Sequence, residues 1–307
     1  MSKSLVSIIT PCFNGEKYID RLLDSVLGQK HPNIEMFIVD DGSTDGSAEI
    51  IKSYVEKFKR RNYQLTYVYQ QNQGQSVAIN AALKMVKGDY LLWPDADDFY
   101  AHSDSISQMV KVLDSSDDSV SIVRVQYNIL DENGGIIDHV GIRSETRYKT
   151  DLFEDCLFRY GDGFWGAAGG YLAKMKLIDQ LIPQREIYTE KMAGQNWQIC
   201  LPLLYQHKCL TIEKYLFNIV AHDDSHSRDA ATNNDRQAMY YRTIKNTLDT
   251  MPLDLEYKKY IIKRVRNMVA KNKTPRRQGR PYRMYIKRAV KGIVPYGLMM
   301  LYKRRVH

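Results

Sequence analysis

Three carboxylates crowd into four residues at Asp95-Ala96-Asp97-Asp98. Such a cluster repels itself and is costly unless something positive neutralises it. A hard divalent cation does this well, held through one or two carboxylates and by phosphate oxygens of a substrate. The cation in turn stabilises negative charge on a departing diphosphate. The plainer alternative is a capped loop, because Asp is common at helix starts. A D-x-D alone does not separate the two.

Other segments carry compatible chemistry. Asp41, in Asp40-Asp41-Gly42-Ser43, is a carboxylate able to accept the N3–H of a uracil or to bond a ribose hydroxyl. Phe13 offers a face to a base, or a core side chain. Asn72-x-Gly74-x-Ser76 opens a helix, where backbone N–H groups can meet an anion. Trp165 and Trp197 are surfaces for a sugar ring or, as lone tryptophans more often are, partly buried core. The run Asp162 to Gly170, rich in glycine and aromatics, reads as a substrate-lining loop or as a tightly packed turn.

The elements that must position these groups alternate. Leu5–Thr10, Ile34–Val39, Leu65–Tyr69, Asp89–Trp93 and Val120–Tyr127 read as strands. Between them, Tyr18–Leu27, a stretch carrying Ile50, Ile51, Val55 and Phe58, Gln75–Val86 and Ile106–Leu113 read as helices. Ser43 or Thr44 is the expected cap of the second helix, and Gly88 the expected stop of the third. Residues 131–135 are turn chemistry. Further on, a helix kinked at Pro202, short strands over Leu210–Val220, and helices over Gln237–Leu248 and Leu255–Val269 are expected. This order predicts an α/β protein with a mainly parallel sheet and helices on both faces. Ligands of such sheets bind beyond the carboxyl ends of the strands. That rule selects residues 11–15, 40–43 and 94–98.

Charge is divided along the chain. The 307 residues hold 44 Lys and Arg against 36 Asp and Glu, a net of +8. From Tyr257 to His307 there are 17 basic and no acidic side chains, so the first 256 residues carry 27 basic and 36 acidic groups, a net of −9. With 44% hydrophobic and 26% charged residues, a disordered chain is excluded. No apolar run reaches the length of a membrane span. The four cysteines form no C-x-x-C pair and no secretion signal is apparent, so a reduced, cytosolic protein is expected.

The segments Val6-Ser7-Ile8-Ile9-Thr10-Pro11-Cys12-Phe13-Asn14, Val39-Asp40-Asp41-Gly42-Ser43-Thr44-Asp45, Asn72-Gln73-Gly74 with Asn80, and Gly88-Asp89-Tyr90 leading into Asp95-Ala96-Asp97-Asp98 together resemble a family 2 glycosyltransferase of GT-A fold. The strong motifs cover roughly the first third of the chain, and the likeness thins toward residue 230. The resemblance implies a nucleotide-sugar site of Pro11 and Phe13 against the base, Asn14, Asp41 reading uracil, Gly74, Asp95 near the ribose, and Asp97 on Mn²⁺ or Mg²⁺. It implies inverting transfer by one in-line displacement, of the bacterial surface-polysaccharide type, and a late histidine, matched by His226, near the metal or diphosphate. His226 suits Mn²⁺ better than Mg²⁺.

Two positions depart from the family pattern. The arginine often found before the third-motif Asn is Ile79 here. The family's base usually sits in a Glu-Asp pair opening a helix, and the matching pair is Gln195-Asn196. Asn196 can orient an acceptor hydroxyl but has no useful basicity. Glu190 and Asp162 are the carboxylates left as candidate bases. The other readings are catalysis by metal and positioning without a strong base, and a catalytically dead partner.

The basic stretch from Tyr257 mixes Tyr, Ile, Val, Leu and Met with Lys and Arg, the profile of an interfacial segment on an anionic membrane surface. It has no recognised nucleic-acid motif, so no nucleic acid is expected. The chain is divided as 1–130, the nucleotide-sugar-binding half of the GT-A domain; 131–230, the acceptor-binding and catalytic half; and 231–307, a helical extension with the basic tail. The expected activity is transfer from a nucleoside-diphosphate sugar, UDP-linked, to a lipid-linked or oligosaccharide acceptor by a cytoplasmic enzyme at the inner face of the membrane. A non-catalytic nucleotide-sugar-binding subunit and a nucleotidyltransferase are the alternatives.

Overall fold

The computed structural model describes residues 4–141, 148–158, 167–222 and 233–271. β1 (Val6–Cys12) and β2 (Ile34–Asp40) are buried along their whole length, as strands covered on both faces must be. Alternate side chains serve opposite layers. Ile8, Met36 and Ile38 pack toward α1 (Ile19–Leu27) and α2 (Ser47–Arg60). Ile9, Phe37 and Val39 pack toward α3 (Gln75–Leu83). The period of two in the strands therefore builds two cores from one sheet.

Among the described residues the sheet has nine strands. β3 (Gln64–Tyr69), β2, β1 and β4 (Tyr90–Leu92) are neighbours in that order and all parallel. Beyond β4 the pairing becomes mixed. β8 (Tyr171–Lys174) runs antiparallel to both β4 and β6 (Val120–Leu130), whereas β9 (Lys208–Val220) is parallel to β6. β5 (Phe99–Tyr100) is antiparallel to β9, and β7 (Ile136–Val140) to β6. The expected parallel order thus holds for the first half. The β6–β7 pair is joined by the short turn at residues 131–135, which permits only antiparallel pairing. α4 (Ser105–Asp114) completes one layer; α5 (Phe153–Phe158), α6 (Met175–Leu181), α7 (Asn196–Leu204), α8 (Asn233–Thr250) and α9 (Leu255–Lys271) join α3 on the other.

Three local expectations are corrected. Neither Ser43 nor Thr44 caps α2, whose cap position is Gly46. Ser43 Oγ instead accepts from the Asn14 amide at 3.0 Å, and the Thr44 amide donates to Asn14 Oδ1 at 2.9 Å, so this turn ties the ends of β1 and β2 together. α3 ends at Leu83, before Gly88, whose amide donates to Ser7 Oγ and Glu35 Oε1 inside the sheet edge. The stretch to Val220 is one 13-residue strand. Pro202 does lie within α7. In the glycine-rich run, Gly169 sits where a Cβ would lie 2.3 Å from the Phe217 ring, the close approach of a packed turn; residues 159–166, with Trp165, lie outside the described residues. All four cysteines are free and buried.

Among the long-range contacts that hold the second half of the molecule on the first, one ties the segment at Ile187 to α3. Asn80, on α3, donates through Nδ2 to the Ile187 carbonyl at 2.8 Å and accepts from the Ile187 amide at 2.9 Å. Asn80 is 8% exposed, so Asn80→Ala leaves both backbone groups without their partner. It should cost about 1–3 kcal/mol in urea denaturation.

Candidate active site

The carboxyl ends of β1, β2 and β4 open on one edge of the sheet, and the carboxylates singled out in the sequence meet there. Pro11 is buried in β1, Phe13 is half-buried just past it, and Asn14 is exposed with φ +51°. Beneath them the Cys12 thiol is pushed up to about 12, first by burial and then by the nearby Asp40 charge. Asp40 is spent on structure: it accepts from the Ser43 amide at 2.8 Å and from the Tyr67 hydroxyl at 2.7 Å.

Asp41 is 4% exposed and accepts three bonds. Gln70 Nε2 and the Gln73 amide reach Oδ1 at 2.7 and 2.9 Å, and the Gly74 amide reaches Oδ2 at 2.8 Å. The carboxylate therefore locks the loop leading into α3. Gly74 sits at the helix cap with φ +97°, and a Cβ there would lie 2.4 Å from the Lys191 carbonyl oxygen. Glycine is required on both counts.

Asp95 receives two amide donors on one oxygen, Gln75 Nε2 at 2.8 Å and Gln195 Nε2 at 3.3 Å. Burial, followed by the Asp97 charge, pushes its carboxyl up to about 7. Asp98 is 5% exposed and accepts the Val220 amide at 3.1 Å. Burial and its two acidic neighbours raise it well above the usual carboxylate range. Asp97 is the more open of the three, and its Oδ2 lies 2.8 Å from His222 Nε2. The His222 ring is stacked on Tyr18, with centroids 4.3 Å apart.

This cluster suits a divalent cation. Among the described residues no group of three or more His, Cys, Asp or Glu side chains is arranged to hold a metal by itself. Asp97 and His222 supply two donors, the number expected where phosphate oxygens and water complete the shell. The raised carboxyls of Asp95 and Asp98 mark a place where added positive charge is favourable.

The candidate bases lie differently. Asp162 and His226 fall outside the described residues. Asn196 begins α7, and its Oδ1 accepts from Trp93 Nε1 at 2.9 Å. Glu190 is gripped by Arg242 of α8, Nε to Oε2 at 3.0 Å and Nη2 to Oε1, and also accepts from the Tyr188 hydroxyl at 3.1 Å. The guanidinium bonds hold its carboxyl below the usual range, against the opposing effect of burial. Ile79 is fully buried core. Trp197 is 5% exposed, packed edge-on against Tyr240, with Nε1 directed at the Cys156 carbonyl. It is a core residue and not a sugar platform.

Sequence reasoning missed Tyr18, Gln75, Gln195 as a partner of Asp95, and Arg242. Of the two late histidines it is His222, four residues before the His226 that the resemblance selects, that reaches Asp97. No sequence signal ties Arg242 to Glu190, 52 positions away.

The raised Asp98 carboxyl gives a signed expectation. Its charged form is disfavoured in the folded state, so it costs nothing below the ordinary carboxylate pKa, a growing amount as the pH rises from there, and its full amount above the raised folded pKa. In metal-free buffer, Asp98→Asn should raise Tm above neutral pH, and the gain should vanish as the pH is lowered toward the usual carboxylate range. A gain unchanged with pH would exclude this origin.

The profile of the family described as "Glycosyl transferase family 2" matches residues 7–168, just over half of the chain. An uncharacterised glycosyltransferase of Haemophilus influenzae is 40% identical over 152 residues, 50% of this chain and 58% of that protein. An uncharacterised glycosyltransferase of Rickettsia typhi is 33% identical over 154 residues, 50% of this chain and 45% of that one. The putative teichuronic acid biosynthesis glycosyltransferase TuaG of Bacillus subtilis is 46% identical over 96 residues, 31% of this chain and 37% of TuaG. The chain spans about half the length of the curated relatives it matches. Among solved structures, S. aureus TarS with UDP-GlcNAc aligns at a TM-score of 0.64 and 19% identity, covering 86% of this chain and 72% of that one. The mannosyltransferase PcManGT of Pyrobaculum calidifontis, with GDP-Man and Mn²⁺, aligns at 0.54 and 15% identity, covering 99% and 80%. At such identities the likeness is one of fold, and the fold is GT-A. With motif order, strand-end carboxylates and profile in agreement, the chain belongs to glycosyl transferase family 2.

Proposed function

We propose that the protein transfers a sugar from a UDP-linked donor to a lipid-linked or glycan acceptor in surface polysaccharide assembly, with inversion at the anomeric carbon. The observation that carries the reading is the cluster of Asp95, Asp97 and Asp98 with His222, one strand away from the Asp41-locked start of α3. The name of TuaG supports the polysaccharide context, and the UDP-GlcNAc carried by TarS supports the donor class. In this reading residues 1–130 bind the donor and 131–230 serve the acceptor.

Pro11, Phe13 and Asn14 border the base, and Asp41 keeps the Gln70–Gly74 loop in the shape that receives it. Asp97 and His222 would hold Mn²⁺ or Mg²⁺, with Asp95 beside them. When bound, such an ion neutralises charge growing on the leaving diphosphate. In this reading Asn196, whose Oδ1 accepts from Trp93, would orient an acceptor hydroxyl through its amide nitrogen. Glu190 is a weak base while Arg242 grips it, so we assign the proton-accepting role to Asp162, a group expected to contribute 10²–10⁴-fold, in order of magnitude.

The test is calorimetry with UDP and Mn²⁺, paired with turnover on nucleotide sugars. Wild type should bind and should release UDP. Asp97→Ala should lose metal-dependent binding, and Asp162→Asn should bind normally while turnover falls on the order of 100-fold or more. Binding without any turnover would favour the non-catalytic subunit, and pyrophosphate release the nucleotidyltransferase.

The acceptor class suggests a membrane surface, and α9 offers a described beginning for it. Lys259, Lys263 and Arg266 are exposed there, as are Leu255 and Tyr260 at 63% and 51%. No helix among the described residues is long and apolar enough to cross a membrane. We place the protein peripherally, on the inner face of the cell membrane, through this face and the basic residues that follow. Removing residues 272–307 should abolish sedimentation with anionic vesicles at low salt, and sedimentation of the intact chain should weaken as salt rises.

A further inference from the structure

The segment from Glu186 to Gln195 has no regular secondary structure, yet it is held against the start of α3. One side of it is fastened to α3. Ile187 exchanges two bonds with Asn80, Ser76 Oγ donates to the Glu190 carbonyl at 3.3 Å, and the Lys191 carbonyl lies against Gly74. Its end is fastened to α7, where Gln198 Nε2 donates to the Tyr188 and Gly194 carbonyls, both at 3.0 Å. The middle is held from outside, where the Glu190 carboxylate receives both prongs of the Arg242 guanidinium and the Tyr188 hydroxyl.

Arg242 is about half exposed and Glu190 a quarter exposed. Pairs of this kind add little to global stability. What a two-pronged Arg–carboxylate pair supplies is orientation, since the planar fork fixes direction as well as distance. The residue oriented here is five positions from Gln195, whose amide reaches Asp95, and one position from Lys191, which presses on Gly74. Gly74 is also the residue whose amide binds Asp41.

We propose that Arg242 is a positioning residue for the nucleotide-sugar pocket, acting through Glu190 to seat residues 186–195 on the start of α3 and to hold Gln195 against Asp95. Its role is to preset a binding surface that a flexible loop would otherwise have to order when donor arrives. The proposal rests on the donor-site reading above. It also adds a function for α8, a helix beyond the stretch matched by the family profile.

The experiment uses the full chain as wild type, Arg242→Lys, Arg242→Ala, and the reversed pair Arg242→Glu with Glu190→Arg. UDP–Mn²⁺ affinity, donor KM and kcat, Tm, and hydrogen exchange across residues 187–198 are measured. Arg242→Ala should weaken UDP about 5- to 30-fold and raise donor KM more than it lowers kcat. It should also speed exchange at the Ala193 amide, with Tm changed by no more than about 2 °C. Arg242→Lys should lie between, because an ammonium lacks the fork, and the reversed pair should recover most of the affinity. Should the reversed pair not fold, Glu190→Gln replaces it and should match Arg242→Ala in every readout. Unchanged affinity and exchange in Arg242→Ala, or a loss of affinity that only follows a fall in Tm, overturns the proposal. If wild type binds no UDP, the donor-site reading fails separately. Exchange at 187–198 then decides, with unchanged rates in Arg242→Ala overturning the positioning role.

Discussion

The structure is organised around an excess of negative charge on one sheet edge. β1, β2 and β4 run the same way, so their carboxyl ends bring Asp40, Asp41, Asp95, Asp97 and Asp98 to one edge. Buried carboxylates close together are costly unless they find partners. The protein meets part of this demand with neutral donors, the backbone amides at 43, 73, 74 and 220 and the side-chain amides of Gln70, Gln75 and Gln195. What it leaves unmet is concentrated on Asp95 and Asp98, whose carboxyls are displaced upward. That residual imbalance is the chemical resource of the site.

Much of this was legible in the sequence because it depends on local pattern. Alternating apolar strands and helical repeats fix the layers, and the parallel order then dictates which loops share an edge. That argument leads to the loops that carry Asp41, Asp95 and Asp97, which the structure gathers at the carboxyl ends of β2 and β4. The antiparallel second half was less legible, because β6, β8 and β9 pair across long separations that no local period records. Caps were misread for a related reason. Ser43 has the chemistry of a helix cap, but its hydroxyl is claimed by the Asn14 amide from another strand end.

The candidate base illustrates the limit from the other side. Glu190 is a carboxylate at a plausible distance in sequence, and composition cannot reveal that a guanidinium from α8 holds it. Gln195 likewise looked like a lost acid, whereas its amide nitrogen supports Asp95. An acid at 195 would add a further negative charge beside Asp95, whereas the amide there adds none and donates to it.

The four buried cysteines have a practical consequence. Burial raises the Cys12 and Cys209 thiols to about 12 and lifts Cys200 well above the ordinary thiol range, so the reactive thiolate is scarce at neutral pH. Alkylating reagents will meet them only when the chain opens. Cys12 lies in β1, whereas Cys156 and Cys200 lie in the helical layer on the other core. The native thiols are therefore an inbuilt clock for local opening, with one hand on the core beneath α1 and α2 and the others on the core that holds α3.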